Sequence, residues 1–503
     1  MLPRCRFLPA AALRALIVTL FALIGIGTSV PAAHAQADPP NILFAFADDW
    51  GAHAGVFGTE GLQTPTFDRV AAQGVLFDRA FVSSPSCTPS RGAVLTGQAI
   101  WRLGPGANLW STLPAEHPVY THQLQDEAGY FVGHTRKGWG PGRLEPGGRS
   151  ERPAGPGFES FDAFLEARPD DAPFVFWFGS TDPHRAYADS LREAMNVDPA
   201  DVTVPPYYPD VPAVRRDIAD YYAEVQRFDQ EVGGLLDRLR AMGELDNTIV
   251  VISGDHGWPF PRGKTQLYDA GTHVPLAIQW PARVAPGRVV HDFVSLTDLA
   301  PTFLEAAGVA VPAVMTGRSL LPLLTSDRTR MEAAREAIVF GRERHTPAQA
   351  APQSGGYPMR AIRTDDFLYI RNFTPDRWPS GTPDWRNAYV DEAWLGDCDN
   401  GPTKFYLWAH RDDPDVAPLY DLSFAKRPAE ELYVLRDDPH QMRNVADDPD
   451  HAATKTRLRE QLMQALAATD DPRAMEPAAP LDQGPYYGGI PNWPGPETLD
   501  AYE

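Results

Sequence analysis

The stretch NILFAFA, residues 41–47, is apolar at nearly every position and is followed at once by Asp48-Asp49. Two more runs share this character: FVFWF, residues 174–178, and TIVVIS, residues 248–253. A run without polar alternation predicts a strand covered on both faces, as in a parallel sheet with helices on each side. These three runs therefore predict an α/β domain built on a mainly parallel central sheet.

Polar residues follow each predicted strand. Asp48-Asp49 follows the first, Asp182-Pro183-His184 comes shortly after the second, and Gly254-Asp255-His256 ends the third. In parallel α/β sheets the ligand site lies beyond the carboxyl ends of the strands. We therefore expect these side chains to meet in one cleft, although they are far apart in the chain.

Helical periodicity separates the strands. Apolar residues recur at three- and four-residue spacing from Val214 to Leu239, which predicts one long helix ending at Gly243. A second helix is predicted from Asp298 to Ala307, with Thr297 as its N-cap. We assign residues 36–345 to this catalytic α/β domain.

The pattern changes after residue 345. Residues 359–364 and 367–372 flank Asp365-Asp366 and predict a hairpin, residues 431–435 a further strand, and residues 452–468 a helix. Residues 346–478 are therefore predicted to form a smaller α+β subdomain with an antiparallel sheet. It includes a long loop, residues 374–418, of a kind that is more often functional than idle. The Pro/Gly-rich tail, residues 479–503, is expected to wrap the surface or fray.

The N-terminal segment has the layout of a cleavable signal peptide. Three arginines precede an apolar stretch at about residues 15–26, and Ala33-His34-Ala35 provides a small-residue cleavage site. A retained membrane anchor is the alternative, but the apolar run is short for a spanning helix. We predict removal of residues 1–35, a periplasmic or secreted location, and no membrane association after cleavage.

The formal net charge is −21. A field of this sign repels nucleic acid and anionic membranes, so neither is expected as a partner. Any site for an anionic substrate must then be made by local cations.

The segment Cys87-Thr88-Pro89-Ser90-Arg91 carries chemistry. Proline suits the first turn of a helix, which places Cys87 beside free backbone donors at an electropositive helix terminus. Such a position is expected to lower the pKa of the thiol, and Arg91 adds a positive fork suited to sulfate or phosphate. The alternative is a small buried cysteine in front of a helix.

Together with Leu95-Thr96-Gly97, this segment resembles the signature of the type I sulfatases. The resemblance implies that Cys87 is oxidised to formylglycine by a formylglycine-generating enzyme. The hydrated aldehyde would then attack sulfur with one hydroxyl, and the other would expel sulfate. It also implies an alkaline-phosphatase-like sandwich: a large, mainly parallel sheet flanked by helices, plus the smaller C-terminal subdomain.

The resemblance implies a metal site as well. Asp48, Asp49, Asp255 and His256 match the family's ligand positions, with Cys87 beside them. Carboxylate oxygens suit Ca²⁺, with Mg²⁺ as the alternative, and the ion would act as a Lewis acid. For the Asp-Asp pair taken alone, a solvated turn is the competing interpretation.

Three further residues match family positions that contact sulfate or the leaving group: Lys137, His184 and Lys264. Arg262 competes with Lys264, and Arg136 competes with Lys137. One family histidine near Lys137 is replaced by Trp139, which could stack on a sugar or be a buried aromatic side chain.

Several stretches most resemble the heparan N-sulfatase branch, including Asp182-Pro183-His184-Arg185 and Tyr357-Pro358-Met359-Arg360. Arg185 is carried over as a candidate substrate contact. The resemblance implies a sulfated carbohydrate substrate, N-sulfoglucosamine ahead of O-sulfated sugars. A phosphonate monoester or phosphodiester hydrolase of the same superfamily and a non-catalytic sulfated-sugar-binding protein stay open, as does a homodimer.

Overall fold

The computed structural model describes residues 39–188, 190–331, 334–475 and 481–502. From residue 39 onward the chain forms one compact unit. The predicted signal peptide, residues 1–35, lies outside the described residues. Among the helices that are described, none combines the length and apolar character that crossing a bilayer requires.

The strands of the described residues form three sheets. In chain order they are β1 Asn41–Ala47, β2 Val75–Phe77, β3 Ala80–Phe81, β4 Phe131–Arg136, β5 Gly157–Phe158, β6 Phe174–Gly179, β7 Thr248–Gly254, β8 His273–Val274, β9 Leu276–Gln279, β10 Arg288–Val290, β11 Val294–Ser295, β12 Ala337–Arg342, β13 Met359–Thr364, β14 Phe367–Asn372 and β15 Glu430–Val434.

The α-helices of the described residues are, in chain order, α1 Pro65–Gln73, α2 Cys87–Thr96, α3 Tyr120–Ala128, α4 Phe161–Ala167, α5 Leu191–Ala194, α6 Pro212–Met242, α7 Asp269–Thr272, α8 Leu299–Ala306, α9 Leu321–Leu324, α10 Pro402–Ala409, α11 Ala417–Phe424, α12 Ala452–Ala468, α13 Pro472–Met475 and α14 Pro496–Asp500.

The central sheet has eight strands in the order β10-β2-β9-β7-β1-β6-β4-β5. β1 lies in its interior and pairs in parallel with both β6 and β7. Only β9 runs antiparallel to its neighbours, so the sheet is mainly parallel. The predicted fold class is confirmed, because all three apolar runs are neighbouring strands of this sheet.

The two faces of β1 bury different helices. Leu43 and Ala45 belong to a core cluster that contains residues of α6, whereas Ile42 and Phe44 belong to a second cluster with residues of α3 and α8. Alternation along a strand sends successive side chains to opposite faces. Helices cover both faces, which is why the strand can be apolar throughout.

The structure confirms the predicted end of one helix and corrects the predicted start of the other. α6 stops at Gly243, which has φ 74° and closes the helix in the left-handed region, as predicted. The N-cap prediction for α8 was wrong. Thr297 lies inside a 3-10 turn whose cap is Ser295, because the Ser295 N–H donates to Asp298 Oδ2 at 3.0 Å and completes a capping box.

The C-terminal sheet is antiparallel in the order β12-β13-β14-β15, and its central hairpin lies where the sequence predicted it. Its first strand, β12, ends at Arg342, so it lies on the N-terminal side of the predicted boundary at 345. Residues 374–418 include the helix α10, whose Thr403 hydrogen-bonds to Asp217 of α6. The division into domains stays a prediction.

Candidate active site

Four neighbouring strands of the central sheet, in the spatial order β7, β1, β6 and β4, send polar residues beyond the same edge. Asp255 follows β7, Asp48 and Asp49 follow β1, His184 comes soon after β6, and Lys137 follows β4. The parallel pairing of these strands brings together residues that are far apart in sequence. The fourth contributor, β4, was not among the apolar runs because its sequence, FVGHTR, is mixed.

The chain turns sharply at Asp49. Its φ is 70°, in the left-handed region that side chains other than glycine rarely adopt. The turn is held by the hydroxyl of Tyr221, which donates to the Asp49 carbonyl at 3.1 Å, and by the Asp49 N–H, which donates to Asp255 Oδ1 at 2.8 Å. Strained backbone that the surroundings hold in place is typical of functional sites.

Two glycines allow close approach of backbone segments around the site. A Cβ at Gly257 would lie 1.9 Å from the Ala270 carbonyl oxygen, and one at Gly179 would lie 1.8 Å from the Lys137 carbonyl oxygen. The first glycine completes the segment Asp255-His256-Gly257, and the second lets the residue after β4 pack against the end of β6. A side chain at either position would force these backbone segments apart.

Cys87 is the first residue of α2 and is buried. Its Sγ lies 3.3 Å from His256 Nε2 and 4.0 Å from Asp49 Oδ1. The preceding residue, Ser86, is the N-cap, but its side chain does not cap the helix. Its hydroxyl instead hydrogen-bonds to His345 Nδ1 at 2.8 Å. The first turn of α2 therefore keeps its backbone donors free of side-chain caps.

The expected low pKa of the Cys87 thiol is corrected by the structure. Burial raises the pKa of Cys87 above its ordinary value, with Asp48 and Asp255 acting in the same direction, and Lys137 and Lys264 do not offset them. Buried away from water and beside carboxylates, the thiol stays protonated at neutral pH. An unmodified Cys87 would be a weak nucleophile here.

The carboxylates and His256 surround Cys87 closely enough to hold one metal ion. Asp49, Cys87 and His256 offer ligand atoms within 4.8 Å of one another, and so do Asp48, Cys87 and Asp255. All of these residues are buried. Three carboxylates at one buried point fit a hard divalent cation, and His256 Nε2, 3.1 Å from Asp49 Oδ1, supplies a nitrogen donor.

Arg91 is committed to the acidic residues and to carbonyl groups. Its Nε donates to Asp255 Oδ2 at 2.8 Å, and its Nη1 donates to the carbonyl oxygens of Lys137 and Gly138 at 2.9 and 3.2 Å. Its other nitrogen lies 3.5 Å from Asp48 Oδ1. Arg91 thus fixes the orientation of Asp255 and ties the segment after β4 to α2.

The structure separates Lys137 from its competitor Arg136. Lys137 Nζ lies 2.5 and 2.6 Å from the two carboxylate oxygens of Asp48. Arg136 has φ 50° and forms an exposed bidentate pair with Glu231 at 2.7 Å. Burial acts to raise the pKa of Asp48, but Lys137 and further cations outweigh it and hold this pKa well below its usual range.

Lys264 and Arg262 are separated in the same way. Lys264 Nζ donates to Asp49 Oδ2 at 2.9 Å and to Asp399 Oδ2 at 3.1 Å. Arg262 points elsewhere: it donates to the carbonyl oxygens of Leu422 and Gln441 at 2.7 and 2.6 Å. Lys264 is therefore the cation of this segment that reaches the centre.

His184 and Arg185 are adjacent in sequence but face different partners. His184 Nε2 lies 3.9 Å from Asp49 Oδ2, so the imidazole borders the centre. Arg185 forms a bidentate ion pair with Asp217 at 2.7 and 2.8 Å and lies over the rings of Tyr187 and Phe260. Its guanidinium is thus engaged within the protein, and its predicted contact with substrate stays a prediction.

Trp139 is half-buried and packs against the core cluster on the α2 side of the sheet. An added Cβ on Gly92 of α2 would lie 3.7 Å from the indole Nε1, and this nitrogen has no hydrogen-bond partner among the described residues. These contacts are those of a packing residue beneath α2. Sugar stacking by Trp139 stays a prediction.

Two residues of the centre were missed by sequence reasoning. His345 is buried beside Ser86, and its pKa lies well below its usual value because of burial first and then Lys264 and Arg342. It comes three residues after β12, a strand of the antiparallel sheet, to which the strand-end rule for parallel sheets does not apply. Asp399 comes from the loop at 374–418, where no periodicity indicates which residue points inward.

Comparison with known proteins identifies the class to which this fold and site belong. A sequence model described as "Sulfatase" matches residues 40–139 and 157–309. A second, described as "N-sulphoglucosamine sulphohydrolase, C-terminal", matches residues 254–378. The chain therefore belongs to the sulfatase family and is a hydrolase of that family. The family implies a formylglycine and a metal ion, which agrees with the buried group of Asp, Cys and His residues.

Individual relatives span most of the chain. The human N-sulphoglucosamine sulphohydrolase is 30% identical over 500 residues, covering 89% of this chain and 94% of the relative. An ulvan-active sulfatase from Formosa agariphila is 26% identical and covers 86% of this chain and 75% of its own length. A structure solved with its substrate D-glucosamine-2-N,6-O-disulfate superposes with a TM-score of 0.59 at 18% identity, covering 89% of this chain and all of the other. That likeness confirms the fold.

Proposed function

We propose that this sulfatase hydrolyses the sulfamate of N-sulfoglucosamine in heparan- or heparin-type carbohydrate. The observation that carries the proposal is the similarity to the human N-sulphoglucosamine sulphohydrolase, which runs through nearly the whole of both chains. It is supported by the match of residues 254–378 to the C-terminal region of that enzyme class. The matched region includes Lys264 and His345, which border the centre.

Cys87 is the residue that carries the nucleophile. As formylglycine it would supply a hydrated aldehyde, whose oxygen attacks sulfur in place of a thiol. The surroundings support this role: the protonated thiol is a weak nucleophile in this buried position, while Lys137 and Lys264 supply positive charge for an anionic substrate. Conversion requires a formylglycine-generating enzyme as maturation partner.

One divalent cation would be held by Asp48, Asp49, Asp255 and His256. We propose Ca²⁺ because most of these donors are carboxylate oxygens. Such an ion supplies Lewis-acid chemistry toward a sulfate oxygen. The protein's own part is to keep the ligands fixed: Arg91 orients Asp255, and the Asp49 N–H bonds to the same carboxylate.

Lys137 and Lys264 bind and orient the sulfuryl group in this proposal. Lys137 pairs with Asp48, and Lys264 pairs with Asp49. His184, which borders Asp49, is placed to give a proton to the departing amine. An amine is a poor leaving group without a proton, so this requirement is stricter for a sulfamate than for a sulfate ester.

An O-sulfatase acting on another sulfated sugar is the second candidate. The ulvan-active sulfatase from Formosa agariphila favours it, because the similarity covers 86% of this chain at 26% identity. The two candidates share the nucleophile, the cations and the metal ligands. They differ in the atom that leaves with the sugar, nitrogen or oxygen.

A periplasmic or secreted location is part of the proposal. It is supported by the three-part layout of residues 1–35, with arginines, an apolar stretch and a small-residue site. Expression from the full gene, followed by N-terminal sequencing of the exported protein, would test it. A first residue near Gln36 is expected, and retention of residues 1–35 would contradict it.

A substrate panel tests the activity. The formylglycine form would be assayed for sulfate release from N-sulfoglucosamine and from glucosamine 6-sulfate, and for hydrolysis of an aryl phosphodiester. Release from N-sulfoglucosamine is expected to dominate. Preference for the 6-sulfate would favour the O-sulfatase, preference for the phosphodiester the phosphodiesterase alternative, and binding of sulfated sugar without turnover a non-catalytic role.

A further inference from the structure

Asp399 joins the centre from outside the central sheet. Its Oδ2 accepts a hydrogen bond from Lys264 Nζ at 3.1 Å, and its carboxylate, His184 and Asp49 offer ligand atoms within 4.8 Å of one another. The side chains of Asp399 and His184 are 21% and 35% exposed, whereas that of Asp49 is fully buried. Asp399 and His184 therefore mark the solvent side of the centre, where the sugar must lie.

The loop that carries Asp399 is built to hold it in place. Asp397 is paired with buried Arg342 and accepts a hydrogen bond from the Thr346 N–H at 2.7 Å. The ammonium of buried Lys404 donates to three carbonyl oxygens of the same loop, those of Trp394, Leu395 and Cys398. A carboxylate anchored in this way is preorganised, so it does not have to be ordered when substrate binds.

The need to neutralise the charge of Lys264 does not explain why Asp399 lies at the centre. Lys264 already has a carboxylate partner in Asp49, at 2.9 Å. Burial acts to raise the pKa of Asp399, but Lys264 and His184 act against it, and the pKa lies below its usual range. An ionised carboxylate next to a sulfate-binding lysine repels the sulfate. It is useful only if another part of the substrate carries positive charge or donates hydrogen bonds.

We propose that Asp399 accepts a hydrogen bond from the departing amine and thereby selects sulfamates over sulfate esters; this inference rests on the proposed function. In the step concerned, the entering hydroxyl bonds to sulfur and passes its proton to water, the sulfur–nitrogen bond breaks, and its electron pair stays on nitrogen. A proton from His184 gives the neutral amine, and the proton taken up by water then gives ammonium. The leaving group of a sulfate ester is an alcohol and never acquires this charge.

The test compares two leaving groups in one variant. Asp399→Asn keeps the size of the side chain and an oxygen that can still accept from Lys264, but removes the charge. For N-sulfoglucosamine, kcat/KM is expected to fall roughly 10- to 150-fold, the range for a lost hydrogen bond to a charged group. For 4-nitrophenyl sulfate, whose leaving group never becomes cationic, kcat/KM is expected not to fall and to rise if anything, because the charge that repels the sulfate is gone.

Two further variants serve as controls for this comparison. Asp391→Asn removes the charge of an exposed aspartate in the same loop. It should leave kcat/KM unchanged for both substrates. Asp399→Glu restores the charge and should recover part of the preference for N-sulfoglucosamine, which also covers the case in which Asp399→Asn does not fold.

Equal losses on both substrates in Asp399→Asn would overturn the proposal, because Asp399 would then act only through Lys264. No loss on either substrate would overturn it as well. If the wild-type enzyme cleaves 4-nitrophenyl sulfate but not N-sulfoglucosamine, the proposed function itself fails, and the inference fails with it. That result appears in the wild type, so it is distinguishable from a result seen only in the variant.

Discussion

Lys137 and Asp48 are separated by 89 residues in the chain, yet the lysine ammonium contacts both oxygens of the Asp48 carboxylate, at 2.5 and 2.6 Å. The contact exists because β4 and β1 flank β6 in the sheet and end at the same edge. It joins a predicted metal ligand to a predicted sulfate-binding cation. Burying either charge alone would cost free energy, and the ion pair between them reduces that cost.

Lys137→Ala should therefore lower kcat strongly. The change removes a cation that faces the position of the sulfuryl group, for which we expect a loss of roughly 10²- to 10³-fold. The matched control is Arg136→Ala, which removes an exposed pair with Glu231 and should alter stability by about 0–1 kcal/mol without altering kcat. Steady-state kinetics on both variants would check this, and a larger kcat loss in the Arg136 variant would contradict the assignment.

Lys264→Ala is expected to raise KM and lower kcat, because its ammonium lies between Asp49 and Asp399 at the centre. Arg262→Ala should instead lower the melting temperature while the kcat of the folded enzyme is kept. It leaves the carbonyl oxygens of Leu422 and Gln441 without a donor, at a cost of about 1–3 kcal/mol. The reverse pattern would show that Arg262 is the sulfate ligand.

Arg185→Ala should destabilise the fold. It would leave the buried Asp217 carboxylate without its cation, and breaking a buried pair on one side costs about 3–5 kcal/mol. Chemical denaturation would measure the change in the free energy of unfolding. If Arg185→Lys left stability unchanged but raised KM for the sugar substrate, the side chain would be a substrate contact after all.

Removing the metal ion should cost both activity and stability. We expect one divalent ion per chain by elemental analysis, a lower melting temperature after chelation, and recovery on adding Ca²⁺. An ion present at 100 times its Kd stabilises the native state by about 2.7 kcal/mol. Asp255→Asn should weaken ion binding while Cys87 is still converted. Full activity in protein free of divalent ions would argue against the metal site.

The sequence predicts the scaffold of the centre well because the relevant signals are local. Continuous apolar runs mark β1, β6 and β7. The acidic residues directly after β1 and β7 converge at the centre, whereas after β6 it is His184 that borders the centre and Asp182 pairs with Arg227. The C-terminal end of the long helix and the turn of the hairpin follow from Gly243 and from Asp365-Asp366 in the same way.

Other parts depend on tertiary contacts and escape such signals. The elevated pKa of Cys87 arises from burial beside distant carboxylates, which no local pattern reports. Asp399 reaches the centre because its aperiodic loop is held in place by distant contacts. Lys404 donates to the Cys398 carbonyl oxygen, and Arg342 pairs with Asp397. Ser86 binds His345 in place of capping α2, a choice set by a residue 259 positions away.

The most direct test of the account is mass spectrometry of the peptide that contains Cys87, on protein from cells with a formylglycine-generating enzyme, followed by sulfate release from N-sulfoglucosamine by the same sample. We expect a peptide mass corresponding to formylglycine and a release of sulfate that is lost in Cys87→Ala. Sulfate release by protein whose Cys87 is entirely unmodified would contradict the nucleophile. Formylglycine without any release from N-sulfoglucosamine would contradict the substrate.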